Sequence, residues 1–154
     1  HTRIFLYGFG SSGLAAQEFQ LRLLRLGMDA EAITELHQMV LNEARITNAC
    51  LVIGISLSGA TRELIDALDR AKARGAAVIY LTSSNAEREK RTYEEIVLAP
   101  VKKNLEYGNV ISPQFPILLI LDLIYAQLLK EDRRSTEAQY DTHIWERIKD
   151  YHVG

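Results

Sequence analysis

The chain alternates between two patterns of apolar residues. Short continuous apolar runs predict strands buried on both faces, and longer segments with apolar residues every three or four positions predict helices. The predicted strands cover residues 3–8, 28–33, 51–55, 78–81 and 96–98. The predicted helices cover residues 14–26, 34–46, 62–74, 86–95 and 113–129, followed by a polar break at 131–135 and an amphipathic segment at 137–151. Gly27 and Gly75 follow two of these helices, and glycine commonly stands just past a helix end.

Strands that alternate with helices and carry no polar face predict a parallel sheet covered by helices on both sides. The predicted fold class is therefore α/β, with three layers in the order α/β/α. In such sheets, ligands bind at the edge where the strands end. Four polar segments follow predicted strands and are expected at that edge: residues 8–13, 56–61, 82–84 and 100–112.

Composition excludes several classes of function. The 154 residues suit one domain, and 18 basic against 20 acidic residues give a net charge of −2, which argues against a generally basic nucleic-acid binder. The single cysteine, Cys50, excludes an internal disulfide and a cysteine-rich zinc site, and we expect it to be an inert buried thiol. The longest apolar run, 116–121, is too short to span a bilayer. Without a signal-peptide pattern, a cytoplasmic location is the default expectation.

The first polar segment contains the spacing Gly8-x-Gly10-x-x-Gly13 after a predicted strand. This spacing matches the dinucleotide-binding fingerprint, which also requires an acidic residue about twenty positions later. Asp29 and Glu31 are near that place. Three interpretations stay open: a dinucleotide site, a tight turn without a ligand, and a site for another phosphate ligand.

The second polar segment carries the hydroxyls of Ser56, Ser58 and Thr61 around Gly59, between a buried strand and a helix. The first N–H groups of a helix have no partner within it, and its dipole favours an anion there. These residues therefore predict a phosphate cradle. A single capping hydroxyl is the alternative, and it accounts for one of the three. The segment contains no lysine, which argues against a P-loop, and it lacks the last glycine of a GxSxG nucleophile elbow.

Three stretches of the sequence together resemble the sugar isomerase (SIS) domain: Gly10-Ser11-Ser12, the segment 55–63 and the run Val78-Ile79-Tyr80-Leu81-Thr82. The resemblance extends over residues 3–130. The resemblance implies a flavodoxin-like, five-stranded parallel sheet that binds phosphosugars at the strand ends. It implies that Ser56, Ser58 and Thr61 hold the phosphate. It further implies that Ser11 and Ser12 contact phosphate or sugar, and that Thr82 and Ser83 line the sugar side.

Two features of the resemblance bear on catalysis and on the sugar end of the site. Some SIS enzymes use a glutamate from the loop before the last core helix as a base, and Glu106 occupies that loop; it could also bind sugar hydroxyls or be a surface residue. Residues 85–94 are highly charged, unlike the usual SIS pattern, so Ser84 is the nearest candidate for a sugar contact there. His37 is expected at the surface or in an interface, and His143 and His152 in solvent.

The SIS family includes isomerases and RpiR-type transcriptional regulators, in which a helix-turn-helix precedes a phosphosugar-sensing SIS domain. Segment 112–125 resembles a helix of those regulators. The sequence begins with His1, two residues before a predicted strand, so we expect it to be part of a longer protein. We therefore predict a non-catalytic phosphosugar sensor domain of a regulator, with a phosphosugar aldose–ketose isomerase as the alternative.

The implied partners are a sugar phosphate, further copies of the chain in a homodimer or homotetramer, and DNA through an N-terminal domain outside this sequence. No cofactor, metal or membrane partner is implied. The tail, residues 131–154, carries Tyr140, Ile144, Trp145 and Ile148. We expect it to pack against the domain or against a second subunit.

Overall fold

The computed structural model describes residues 1–59, 61–83, 92–99 and 114–135. The elements are β1 (Arg3–Gly8), α1 (Gly10–Arg25), β2 (Ala30–Ile33), α2 (Leu36–Asn42), β3 (Cys50–Ser56), α3 (Arg62–Ala73), β4 (Ala77–Thr82), β5 (Glu95–Leu98) and α4 (Phe115–Ser135). The five strands form one parallel sheet in the order β2-β1-β3-β4-β5. This is the order of flavodoxin-like folds, and the predicted α/β class is confirmed.

Helices cover both faces of the sheet. Successive strand residues point to opposite sides, so each strand contributes side chains to two buried clusters. In β1, Phe5 and Tyr7 join a buried cluster with Leu64 and Leu68 of α3. Leu6, from the same strand, joins a second cluster with residues of α1 and α4. The two clusters explain why the strands are apolar at consecutive positions.

The first helix begins earlier than its hydrophobic pattern predicted. It begins at Gly10 rather than at residue 14, so the predicted Gly/Ser turn is largely the first turn of α1. The N–H groups of Ser12 and Gly13 both donate to the carbonyl of Phe9, which starts the helical hydrogen bonding. As a result, Ser11 and Ser12 lie on a helix N-terminus directly after β1.

Three other predicted boundaries were wrong. The second helix, predicted at 34–46, covers only Leu36–Asn42 and continues as a 3-10 turn, Glu43–Arg45. Glu95 was predicted to end a helix but begins β5, and the rest of that predicted helix is either non-helical or outside the described residues. The predicted polar break at 131–135 belongs to α4, because a charged run without proline or glycine continues a helix.

Two glycines let β1 and α1 approach each other closely. A Cβ atom on Gly13 would lie 2.9 Å from the carbonyl oxygen of Gly8 and 2.9 Å from Cγ2 of Thr34. A Cβ atom on Gly8 would lie 2.9 Å from the backbone of Ser12. This contact holds the start of α1, and the two serines on it, at the carboxyl end of β1.

Candidate functional site

The three hydroxyls of the second polar segment lie together at the carboxyl end of β3. The Oγ atom of Ser56 is 3.2 Å from Oγ1 of Thr61 and 3.5 Å from Oγ of Ser58. Ser56 is almost fully buried, whereas Ser58 is exposed. The cluster therefore reaches from the interior to the surface.

Thr61 occupies the N-cap position of α3, but its side chain makes no capping hydrogen bond. Its hydroxyl contacts Ser56 instead. The N–H groups of the first turn of α3 have no acceptor within the helix, and the positive end of the helix dipole lies beside the cluster. The alternative of a single capping hydroxyl is therefore not what the structure shows for Thr61, the residue at the N-cap position.

The loop after β3 is braced by its own backbone and by the end of β4. Gly59 has a φ of 64° and donates its N–H to the carbonyl of Ser56 over 3.3 Å. A positive φ favours glycine, because it has no Cβ atom to clash. Ser83 donates to the carbonyl of Leu57 through both its backbone N–H, over 3.2 Å, and its hydroxyl. Ser83 thus supports the loop, and its predicted contact with a sugar remains a prediction.

Thr82 lies next to the cluster, because it pairs with Ser56 in the register of β3 and β4. It is fully buried, and its carbonyl accepts the N–H of Ala99 over 2.7 Å. Its predicted role on the sugar side stays a prediction.

The first polar segment lies at the same edge of the sheet as the second. β1 neighbours β3, and Gly8 pairs with Ile55, one residue before Ser56. Ser12 is buried in the first turn of α1, and Ser11 is exposed. Two helix N-termini and five predicted ligand-binding hydroxyls therefore lie at the carboxyl ends of two adjacent strands, β1 and β3.

The sequence pattern did not identify Gln114, whose Nε2 atom donates to the carbonyl of Ser11 over 2.9 Å. This bond connects the start of α4 to the first turn of α1. The sequence signal that could have identified Gln114 is its position as a polar residue at the start of an otherwise apolar helix.

Several predicted residues lie outside the described part of the chain: Ser84, Glu106, His143, His152, the loop 100–112 and the tail segment 137–151. His37 is exposed on α2 and Cys50 is buried, as predicted.

The structure does not support the dinucleotide interpretation of the first polar segment. Asp29 precedes β2 and pairs with Arg3 over 3.2 Å. Glu31, the second residue of β2, accepts hydrogen bonds of 3.0 and 2.5 Å from Arg45. Neither carboxylate lies at the carboxyl end of β2, where the ribose of a dinucleotide would need it.

The pair between Glu31 and Arg45 makes stability depend on pH. The hydrogen bonds from Arg45 lower the pKa of Glu31 below its ordinary value of 4.5. The pair therefore adds stability above pH 4.5, and this contribution is lost as the pH falls through the lower pKa of the folded state.

Replacement of Arg45 by glutamine is expected to lower the melting temperature by about 1–3 °C at neutral pH, since the pair is partly exposed. The difference should shrink between pH 5 and pH 3, as measured by thermal denaturation of both proteins. The contact of Arg45 with the Phe5 ring is lost at every pH, so only the pH-dependent part reports on Glu31. A difference that stays constant over this range would contradict the assignment.

Within the described ranges, no cluster of three or more His, Cys, Asp or Glu side chains could bind a metal ion. Over the same residues, no helix is both long and apolar enough to cross a membrane.

Comparison with known proteins places this arrangement in a family. The model of the SIS domain matches residues 1–119. An uncharacterized HTH-type transcriptional regulator of Clostridium perfringens is 32% identical over 131 residues, which are 84% of this chain and 46% of that protein. One from Haemophilus influenzae is 33% identical over 128 residues, 83% of this chain and 44% of that protein. The chain thus spans less than half the length of either relative.

Solved structures share the fold. The sugar isomerase domain of an RpiR transcription factor from Sphaerobacter thermophilus has a TM-score of 0.74 and 22% identity, over 86% of this chain and 72% of that chain. The Vibrio vulnificus NanR protein, complexed with ManNAc-6P, has a TM-score of 0.72 and 24% identity, over 88% of this chain and 53% of that chain. The family match over most of the chain, together with this fold, shows that the chain belongs to the SIS domain family.

Proposed function

We propose that this chain is the phosphosugar-binding sensor domain of an RpiR-type transcriptional regulator. The observation that carries the proposal is the cluster of Ser56, Ser58 and Thr61 hydroxyls at the N-terminus of α3. These groups, with Ser11 and Ser12 in the first turn of α1 after the adjacent strand, provide neutral donors around the positive end of a helix dipole.

Such a site suits one terminal phosphate. The phosphate oxygens accept hydrogen bonds from hydroxyls and from the N–H groups of a helix N-terminus, and charge-assisted bonds of this kind are stronger than neutral ones. The sugar would then extend toward the ends of β1 and β4, where Ser11, Ser12, Thr82 and Ser83 are the proposed contacts. Glu106 remains a further proposed contact from the loop before α4.

The relatives support the regulatory part of the proposal. Two of them are HTH-type transcriptional regulators about twice as long as this chain, and the NanR structure holds ManNAc-6P. DNA would be bound through another part of a longer protein, in a homodimer or homotetramer in the cytoplasm. The ligand would regulate DNA binding only as far as its affinity differs between two states of the protein.

The direct test is a thermal-shift and calorimetry screen against pairs of sugars with and without phosphate, covering hexoses, pentoses and N-acetylhexosamines. A phosphosugar at a hundred times its Kd should stabilise the protein by about 2.7 kcal/mol, and its unphosphorylated partner should have no effect. If no phosphorylated sugar changes the melting temperature or releases heat, the proposed function is wrong.

The isomerase alternative is tested with the same ligands. Each phosphosugar is incubated with the protein, and the composition of the mixture is followed by NMR. We expect no interconversion. Catalysed interconversion that disappears in the Glu106→Gln variant would overturn the sensor-only function in favour of proton abstraction by this carboxylate.

A further inference from the structure

Ser83 lies one residue beyond the end of β4, and both of its donors bind the loop that carries the phosphate cradle. Its backbone N–H donates to the carbonyl of Leu57 over 3.2 Å, and its hydroxyl donates to the same carbonyl. The register of β3 and β4 ends with Ser56 opposite Thr82. The contact between Leu57 and Ser83 extends this pairing by one residue, so the Leu57 carbonyl is held on the side of β4.

The direction of this carbonyl fixes the orientation of the peptide group between Leu57 and Ser58. In a trans peptide, the C=O and the N–H point in opposite directions, and the described residues contain no cis peptide bond. The N–H of Ser58 therefore points away from β4. In the strand order β1-β3-β4 this is the side of β1, after which Ser11 and Ser12 follow in the first turn of α1. Ser83 thus orients the backbone of the residue that carries the exposed hydroxyl of the cradle.

The loop needs such a support, because its sequence does not fix its shape. Glycine adopts positive and negative φ about equally well, so Gly59, at a φ of 64°, permits the turn without enforcing it. The N–H of Gly59 donates to the carbonyl of Ser56 over 3.3 Å, and the side chain of Leu57 packs against the cluster formed with α1 and α4. The hydroxyl contact between Ser56 and Ser58, at 3.5 Å, is longer than an ordinary hydrogen bond between hydroxyls. The two bonds from Ser83 therefore fix the loop where it leaves β3.

We propose that Ser83 is a positioning residue of the phosphate cradle, in addition to the sugar contact proposed above. By holding the Leu57 carbonyl, it keeps Ser58 at the place where the phosphate binds. A loop that is held in its binding geometry before the ligand arrives does not have to be ordered on binding, so the affinity rises without a further contact to the ligand. The role rests on the proposed phosphosugar-binding function, because it concerns the phosphate end of that site.

Inorganic phosphate separates this role from a sugar contact, because it carries no sugar. Ser83→Ala keeps the backbone N–H, removes the hydroxyl and should weaken the binding of inorganic phosphate by about three- to tenfold, measured by phosphorus NMR titration. Calorimetry with a phosphosugar identified in the screen should show at least the same loss, and Ser83→Thr, which keeps the hydroxyl, should restore most of the affinity for both. Weaker phosphosugar binding with unchanged binding of inorganic phosphate would overturn the proposal.

Thr47→Ala is the matched control for these titrations. The hydroxyl of Thr47 also braces a turn, because it accepts the N–H of Ala49 over 3.3 Å. This turn precedes β3 and therefore lies at the opposite end of the strand from the cradle. The control should change neither affinity, and a loss equal to that of Ser83→Ala would contradict a local role of Ser83.

A double-mutant cycle tests the route through Ser58. If Ser83 acts on the phosphate through Ser58, the Ser58→Ala, Ser83→Ala variant should lose phosphosugar affinity by a smaller factor than the product of the two single losses. Losses that multiply would contradict this route.

The support of the loop can also be measured without a ligand. Amide hydrogen exchange of Gly59 should be several-fold faster in Ser83→Ala than in the unmodified protein, and unchanged in Thr47→Ala. If no phosphorylated compound binds to the unmodified protein, the proposed function is wrong, and the exchange of Gly59 still decides whether Ser83 holds the loop. Equal exchange in Ser83→Ala and in the unmodified protein would overturn the positioning role.

Discussion

Replacing Ser56 and Ser58 together by alanine is expected to weaken phosphosugar binding about a hundredfold or more. A hydrogen bond to a charged group contributes about 1.5–3 kcal/mol, and each 1.4 kcal/mol corresponds to a tenfold change in Kd. The loss of two donors is therefore expected to raise Kd more than a hundredfold. The double variant removes both hydroxyls of the contact between Ser56 and Ser58, and it also removes the Ser56 contact of Thr61, so a loss of stability of about 1 kcal/mol is expected beside the larger loss of binding. Isothermal titration calorimetry with a phosphosugar identified in the screen measures the effect.

Thr61 offers the matched control for this experiment. Thr61→Ser keeps the hydroxyl that lies 3.2 Å from Ser56 and should bind nearly as tightly as the unmodified protein. Thr61→Val keeps the shape, removes the hydroxyl and should bind about tenfold more weakly or worse. Unchanged affinity in the Ser56→Ala, Ser58→Ala variant would show that the phosphate binds elsewhere, even if the protein is a phosphosugar sensor.

The sequence was sufficient to predict the sheet and the edge at which the serines lie. Strands buried on both faces require consecutive apolar residues, and the runs of β1, β3 and β4 are of this kind. The run that contains β2 is interrupted by Asp29 and Glu31, and it was predicted longer than the four residues observed. Because every strand is parallel, the polar segments that follow strands had to lie at one edge.

Features that depend on contacts between distant residues could not be predicted from the sequence. The start of α1 at Gly10 depends on the close approach of Gly8 and Gly13, which is a property of the folded backbone. Likewise, the bond between Ser83 and the carbonyl of Leu57 joins residues of two strand ends. A hydroxyl in a polar turn has the same sequence signal whether it supports a loop or binds a ligand.

The largest expected loss of stability concerns the contact that places α3, and with it the phosphate cradle, on the sheet. Gly54 lies in β3 two residues before Ser56, and Leu68 of α3 is fully buried above it. A Cβ atom on Gly54 would lie 2.5 Å from Cδ1 of Leu68. Gly54→Ala should therefore destabilise the fold by about 1–3 kcal/mol through overpacking, and Leu68→Ala by about 2–5 kcal/mol through the cavity it leaves.

The double variant Gly54→Ala, Leu68→Ala should lose less stability than the sum of the two single changes, because the new methyl group enters the space that the leucine vacates. Urea denaturation of the four proteins gives the coupling free energy. Leu23→Ala provides the control, since Leu23 is buried in α1 on the opposite face of the sheet and its effect should add to that of Gly54→Ala. Additive effects for Gly54 and Leu68, within about 0.5 kcal/mol, would mean that α3 does not rest on Gly54 and that its N-terminus is held at Ser56 by other contacts.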